Sequence, residues 1–279
     1  MFPKQIICPL DYSSYSFKAL KYAGELARRS GARLHLFHAC HVPLPSPENN
    51  MFDSGLMLAE TEDSARIKIE DMIYTVFGDE VNFTFHIHIK YGFAVEGISQ
   101  LYKEVDADLI VMYTTGADTI LDAVLGTIAS EVFSVVDCPV LILPDEITPQ
   151  LPKQIVYATD LEVDASHAVE KVIALASFHH AHISFVSIKK EDSPYTAMDV
   201  QKGVKKYVHK FPYDAVSFHL HEDDSIVDGI ETFAQSVKAD LVVMTMHQRT
   251  FLEKIFKASK TKKMLQYSTI PVLAFKMEY

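Results

Sequence analysis

Apolar positions along the chain fall into short runs, separated by longer stretches in which they recur every three or four residues. The first pattern reads as strand and the second as amphipathic helix. Residues 5–10 are a short apolar run and predict a strand. Residues 14–30 carry Phe17, Leu20, Ala23, Gly24 and Ala27 at helical spacing, with Ser13 or Ser14 placed to cap the start and Gly31 the end. A second strand is predicted over 33–39 and a helix over 60–77. Residues 82–90 alternate Phe83, Phe85, Ile87 and Ile89, the period of a half-buried strand. A short helix over 94–105, a buried strand over 109–113, a helix over 127–136 and a strand over 140–143 complete the series. The pattern then starts again, with strands near 154–159, 182–188, 215–220, 241–245 and 272–275 and helices between them.

The second series repeats the first in its residues as well as in its pattern. Lys4-Gln5-Ile6-Ile7 recurs as Lys153-Gln154-Ile155-Val156, with Asp11 and Asp160 following at a shared offset of 149. Asp108-Leu109-Ile110-Val111-Met112 recurs as Asp240-Leu241-Val242-Val243-Met244, and Cys138-Pro139-Val140-Leu141-Ile142 as Ile270-Pro271-Val272-Leu273-Ala274, both at an offset of 132. The second copy is therefore 17 residues shorter (149 − 132) between its first and fourth strands. The extra piece in the first copy is placed in the stretch 42–55, where Pro43, Pro45 and Pro47 remove backbone donors and predict a loop. Two homologous units result, 1–147 and 153–279, joined by a proline-rich linker at 148–152. Strands joined by helices of this length imply an α/β fold in each unit: a five-stranded parallel sheet with helices on both faces, doubly wound. Ligands of such sheets bind beyond the carboxyl ends of the strands.

Composition narrows the function. Of 279 residues, 48% are hydrophobic and 23% charged, which suits a globular chain. The balance of 26 Lys+Arg against 37 Asp+Glu gives −11, which opposes binding to phosphate backbones and anionic lipid surfaces. No apolar run reaches the roughly 20 residues of a membrane helix, and the N-terminal residues carry no signal-peptide core. Cys8, Cys40 and Cys138 form no C-x-x-C pair and read as small buried hydrophobes of a reducing compartment. The expectation is a cytoplasmic protein without nucleic-acid or membrane partners.

The strand ends carry the candidate chemistry. Asp11 follows the first strand and can accept hydrogen bonds from ribose hydroxyls or an adenine amine, or serve as a helix N-cap. His38-Ala39-Cys40 ends the second strand. After the fourth come Gly116, then Gly126-Thr127 opening a helix, where free N–H groups and a hydroxyl can face an anion. The thirteen histidines include His35, His38 and His41, the strand pairs His86/His88 and His219/His221, and a cluster at His179, His180 and His182. Residues i and i+2 of a strand share a face, but no pair comes with a third ligand at a recognised spacing, so no metal site is expected. Catalytic signatures such as G-x-S-x-G, the P-loop, G-x-G-x-x-G and H-E-x-x-H are absent, and no catalytic residue is named.

Together these residues resemble the universal stress protein family, in tandem. In that family an Asp ends the first strand and a loop of the form G-x2-G-x9-G-[ST] follows the fourth. Here the loop reads Tyr113-x2-Gly116-x9-Gly126-Thr127, matching three of four marked positions. The resemblance implies an adenine nucleotide alpha hydrolase-like fold. It also implies a regulatory adenine nucleotide (ATP, ADP or AMP, alone or with magnesium) held by Asp11, Ala39, Gly116, Gly126 and Thr127. Tyr113 in place of glycine, and Asp118 close to the expected phosphates, depart from the pattern. The second copy keeps Asp160 but reads Thr245-x2-Gln248-x9-Ala258-Ser259, without the glycines. Arg249, Lys254, Lys257, Lys260, Lys262 and Lys263 surround it. They read as a solvated basic face, an interface with an acidic surface, or side chains that hold an anion. The resemblance further implies that the last strands of the two units pack across an intrachain pseudo-dimer, with a homodimer of chains as a further expectation. The alternative is a nucleotide-free scaffold or interaction protein of the same family.

Overall fold

The structure is a computed structural model that describes residues 3–40, 53–113, 128–144, 151–159, 166–189, 196–208, 213–246 and 270–276. Packing divides the chain into two compact bodies, Pro3–Tyr113 and Thr114–Tyr279.

In the first body, β1 (Gln5–Pro9), β2 (Arg33–Cys40), β3 (Phe85–Tyr91) and β4 (Leu109–Tyr113) form a parallel sheet in the order β3-β2-β1-β4. The connecting helices are α1 (Ser14–Ser30), α2 (Asp53–Phe77) and α3 (Ala94–Val105). Ile6, Ile7, Cys8, Leu34, Leu36, Ile110 and Val111 are all fully buried, as continuous apolar runs in a doubly covered parallel sheet should be. The predicted caps of α1 are present. Ser13 is the N-cap and accepts the Ser16 N–H, while Gly31 takes the left-handed conformation and its N–H closes on the Ala27 carbonyl. Helix α2 begins at Asp53, so the stretch predicted as loop through residue 55 becomes helical before its end. Residues 41–52 lie outside the described residues.

In the second body, α4 (Ile128–Val135) and β5 (Val140–Leu143) close the first repeat. β6 (Gln154–Ala158), α5 (Ser166–His179), β7 (His182–Lys189), α6 (Ala197–Val208), β8 (Val216–Glu222), α7 (Ile226–Ser236), β9 (Leu241–Met246) and β10 (Val272–Lys276) form the second. The strand order is β5-β10-β9-β6-β7-β8. The pairs of β10 with β9, β9 with β6, β6 with β7 and β7 with β8 are parallel. The pair between β5 and β10 is antiparallel, with Leu141 opposite Leu273. The terminal strand of one repeat thus pairs with the terminal strand of the other.

The repeat extends to individual hydrogen bonds. The Asp108 carboxylate accepts the Lys4 and Gln5 N–H groups, at 2.9 and 3.1 Å, and Asp240 accepts those of Lys153 and Gln154, both at 2.8 Å. Each Asp thus anchors the start of a first strand beside the fourth. At the other end of β1 the Leu10 N–H donates to the Phe37 carbonyl at 2.8 Å, and the Thr159 N–H donates to that of Val186 at 2.9 Å.

Candidate functional site

The carboxyl end of β1 turns directly into α1, and this turn positions Asp11. The carboxylate has two differently occupied oxygens. Oδ1 accepts the Ser13 N–H at 3.0 Å, the Ser13 hydroxyl at 2.6 Å and the Ser16 hydroxyl. Ser16 is fully buried, and its Oγ also accepts the Asp11 N–H at 2.9 Å. Asp11 is therefore not the cap of α1. Ser13 is the cap, and Asp11 braces it from outside the helix. Oδ2 accepts the hydroxyl of Tyr113, from the end of β4. Tyr113 is half-buried, and its ring lies stacked on Tyr15 at a centroid distance of 5.6 Å and an interplanar angle of 19°. The Lys18 Nζ stands 5.6 Å from the other member of that stack, Tyr15.

These bonds decide the charge states. Burial pushes the Asp11 carboxyl up, but the hydrogen bonds from Ser13, Ser16 and Tyr113 outweigh it and hold the group below the usual carboxylate range. Burial, followed by the bond to Asp11, pushes the Tyr113 phenol up to about 12. The pair is a carboxylate and a neutral phenol across the physiological range.

A second aromatic group borders the same turn. Tyr12 has a φ of 65°, in the left-handed region that a bulky side chain enters at a cost of roughly 1–2 kcal/mol. Its surroundings hold it there. The His38 ring packs 4.3 Å away, the Lys68 Nζ lies 5.3 Å over the ring, and the Tyr12 hydroxyl is 3.5 Å from the Ala65 carbonyl. His38 Nδ1 lies 2.8 Å from the Leu10 carbonyl, which only accepts, so this nitrogen carries the proton. Ala39 sits one residue further along β2, half-buried and opposite Lys90 of β3. The ends of β1, β2 and β4 thus bring together Asp11, Ala39, Tyr12, His38 and Tyr113. Gly116, Gly126 and Thr127, together with Asp118, lie outside the described residues. So do Asp160 and positions 247–269 of the second copy.

Sequence reading named Asp11 and Ala39 as candidates and marked Tyr113 as a departure. It missed that Ser16 joins Ser13 in fixing Asp11. The signal was present in the spacing of Asp11, Ser13 and Ser16, but a serine in a helix's first turn is most often only a cap.

The histidines are organised across strands. His35, 4% exposed, bonds through Nδ1 to His88 Nε2 and through Nε2 to Gln5 Oε1, each at 2.9 Å. The ring of His86 lies 5.7 Å from that of His35. Among the described residues no group of three His, Cys, Asp or Glu is arranged to hold a metal ion. Cys8, Cys40 and Cys138 are buried and none is in a disulfide, and burial pushes the Cys8 thiol far up. No described helix is long and apolar enough to cross a membrane.

Comparison with known proteins places this arrangement. The sequence model described as the Universal stress protein family matches residues 3–144 and 152–276. A universal stress protein of Methanocaldococcus jannaschii is 28% identical over 144 residues, covering 50% of this chain and 81% of its own. One of Thermus aquaticus is 29% identical over 140 residues, covering 50% of this chain and 98% of its own. Among solved structures, a universal stress protein from Archaeoglobus fulgidus superposes with a TM-score of 0.74 at 15% identity, over 98% of this chain and 96% of that one. Another described as a putative universal stress protein, from Pseudomonas aeruginosa, gives 0.60 over 98% and 93%. These structural likenesses concern the fold.

Proposed function

The chain belongs to the universal stress protein family, and from that premise we propose that it is a regulatory binding protein whose first repeat holds an adenine nucleotide. The observation that carries this reading is Asp11: an ionised carboxylate at the carboxyl end of β1, fixed through Oδ1 by its own turn, with Oδ2 directed to a donor from another strand. An acceptor held in this way suits a ribose hydroxyl or a base amine. Ala39 at the end of β2 and the loop residues Gly116, Gly126 and Thr127 supply the other contacts. Gly126-Thr127 would face the phosphates, with magnesium offsetting the charge of Asp118.

We place the protein among binding proteins rather than enzymes. A carboxyl held below its ordinary range is a weak base, and a phenol raised to about 12 is a weak acid. Neither suits proton transfer near neutral pH. The antiparallel pair of β5 and β10 supports reading the two repeats as an intrachain pseudo-dimer, located in the cytoplasm.

Native mass spectrometry of the purified full chain tests the proposal, followed by titration with Mg-ATP, ATP and AMP. One adenine nucleotide per chain is expected, lost in Asp11→Asn and in Gly126→Asp. A chain that purifies empty and shows no binding or thermal shift with millimolar nucleotide overturns it. One observation favours a second reading, a nucleotide-free interaction protein: the Tyr113 hydroxyl already occupies Asp11 Oδ2.

A further inference from the structure

We propose that Tyr113 is a built-in competitor for the ligand of Asp11, so that a nucleotide enters the first repeat only by turning the phenol off Oδ2. This rests on the nucleotide reading given above.

The two carboxylate oxygens show why the competitor is Tyr113 and not the serines. The donors on Oδ1 come from residues 13 and 16, within the same turn, and Ser13 also caps α1. Removing them would undo the helix start, so they stay when a ligand binds. The donor on Oδ2 comes from 102 residues away, at the last residue of β4. It comes from outside the turn, and although Tyr113 also hydrogen-bonds Ser13 and Ser16, neither the Ser16 N–H to Ser13 bond that caps α1 nor the β1–β4 pairing is made by its hydroxyl. Oδ2 is thus the oxygen a ligand reaches, and a hydroxyl already stands on it.

The competing group is chemically apt. A phenol hydroxyl on a carboxylate makes the same kind of bond as a ribose hydroxyl would. The raised phenol keeps its proton, so it remains a donor and does not repel Asp11. The flat face of Tyr15 gives the ring a defined resting position. Asp11 is therefore satisfied from within the chain, by donors on both of its oxygens. A ligand must exchange one charge-assisted hydrogen bond for another, so its apparent affinity falls by the fraction of time that Tyr113 is away.

Position 113 is where the loop pattern of the first repeat departs from glycine, which sets the test. Binding of Mg-ATP and of AMP to the nucleotide-stripped full chain is measured by calorimetry for wild type, Tyr113→Phe, Tyr113→Gly, Asp11→Asn and the double variant Asp11→Asn/Tyr113→Phe. Tyr113→Phe keeps the ring and its stack on Tyr15 while removing the hydroxyl. It is expected to tighten the dissociation constant about tenfold or more, since bonds to charged groups are the stronger class. The double variant is expected to lose that gain. Without ligand, Tyr113→Phe is expected to raise the Asp11 carboxyl titration, read by NMR, because one of the bonds that lowers it is gone.

Tighter binding in Tyr113→Phe that depends on Asp11 supports the competitor, even if wild type binds too weakly to measure. Equal or weaker binding in Tyr113→Phe, with wild type binding and Asp11→Asn not, overturns the competitor and leaves the nucleotide reading standing. A gain that persists in the double variant also overturns it, because Asp11 is then not the contested group. Absence of binding in wild type and in both Tyr113 variants overturns the competitor and the nucleotide reading together.

Discussion

His35 makes the protein's stability depend on pH in a calculable way. Its ring is 4% exposed, and both nitrogens are engaged, Nε2 with Gln5 Oε1 and Nδ1 with His88 Nε2. The Gln5 oxygen only accepts, so His35 Nε2 carries the proton and His35 Nδ1 accepts from His88. A second proton on His35 would set two N–H groups against each other on a buried ring. Burial first, then the neighbouring His88, His86 and Arg33, lower its pKa from 6.5 to about 4. His88 is lowered too, by burial and then by His86 and Lys90, with Glu104 opposing. The folded value lies below the unfolded one, so the unfolded chain takes the proton first. The contribution of His35 to stability is therefore full above about pH 6.5, falls as pH drops, and levels off below about 4. From these two values, His35 alone removes about 2 kcal/mol between pH 7 and pH 5. The carboxylates Asp11, Glu25 and Asp199, all lowered, titrate below that window.

The perturbation is His35→Ser, because Ser184 occupies the corresponding position in the second repeat. The chain has no tryptophan, so urea unfolding is followed by circular dichroism at pH 7 and pH 5. Wild type is expected to lose about 2 kcal/mol more than the variant between the two pH values, whatever the variant costs at pH 7. In NMR, the imidazole signal that disappears in His35→Ser should not titrate above about pH 5. Matching pH slopes in the two proteins, or a His35 that titrates near 6.5, would refute the reasoning.

Two further outcomes follow from single contacts. Ser13→Ala removes the cap of α1 and the hydroxyl donor from Asp11, leaving the backbone N–H of residue 13 in place, so it is expected to cost about 1 kcal/mol; the Asp11 carboxyl should also titrate at higher pH, and an unchanged melting temperature together with an unchanged Asp11 titration would contradict it. Gly97→Ala on α3 places a Cβ 2.5 Å from the ring of Phe37, which is 1% exposed, so the ring or the helix must shift. A loss of roughly 1–3 kcal/mol is expected in thermal melts, relieved by the second change Phe37→Leu; a variant as stable as wild type would show that α3 can shift outward freely.

What a single sequence stated and what it withheld separate along one physical line. Period and repetition were legible: the strands, the caps at Ser13 and Gly31, and the offset of 149 all follow from spacing along the chain. Partners across the sheet were not. The two-residue period put His86 and His88 on one face of β3. It could not show that the register sets His86 opposite His35, which brings His88 within reach of the His35 ring. The run after Pro139 and that after Pro271 each read as a buried strand, but apolar strands are alike in pattern, and nothing in either named the other as an antiparallel partner. Tyr113 was visible as a lost glycine, while the target of its hydroxyl lay 102 residues away.

The two repeats show why this division holds. In the second, Gln154 bonds Ser184, which meets Ser217, and Ser217 meets His219. Gln5, His35 and His88 occupy the same sheet positions in the first. Both copies keep a polar chain on the same face of their first three strands and end it on an imidazole, His88 or His219, while the central member is His35 in the first and Ser184 in the second. Buried polar groups must be partnered, so replacing one member obliges its neighbours to change, and the chain persists while its residues drift. Ser184 does not titrate across the pH range in which His35 does; His219, at the end of the second chain, is lowered by burial and then by His182. The pH dependence that His35 confers therefore belongs to the first repeat alone, because the second has Ser184 at that position.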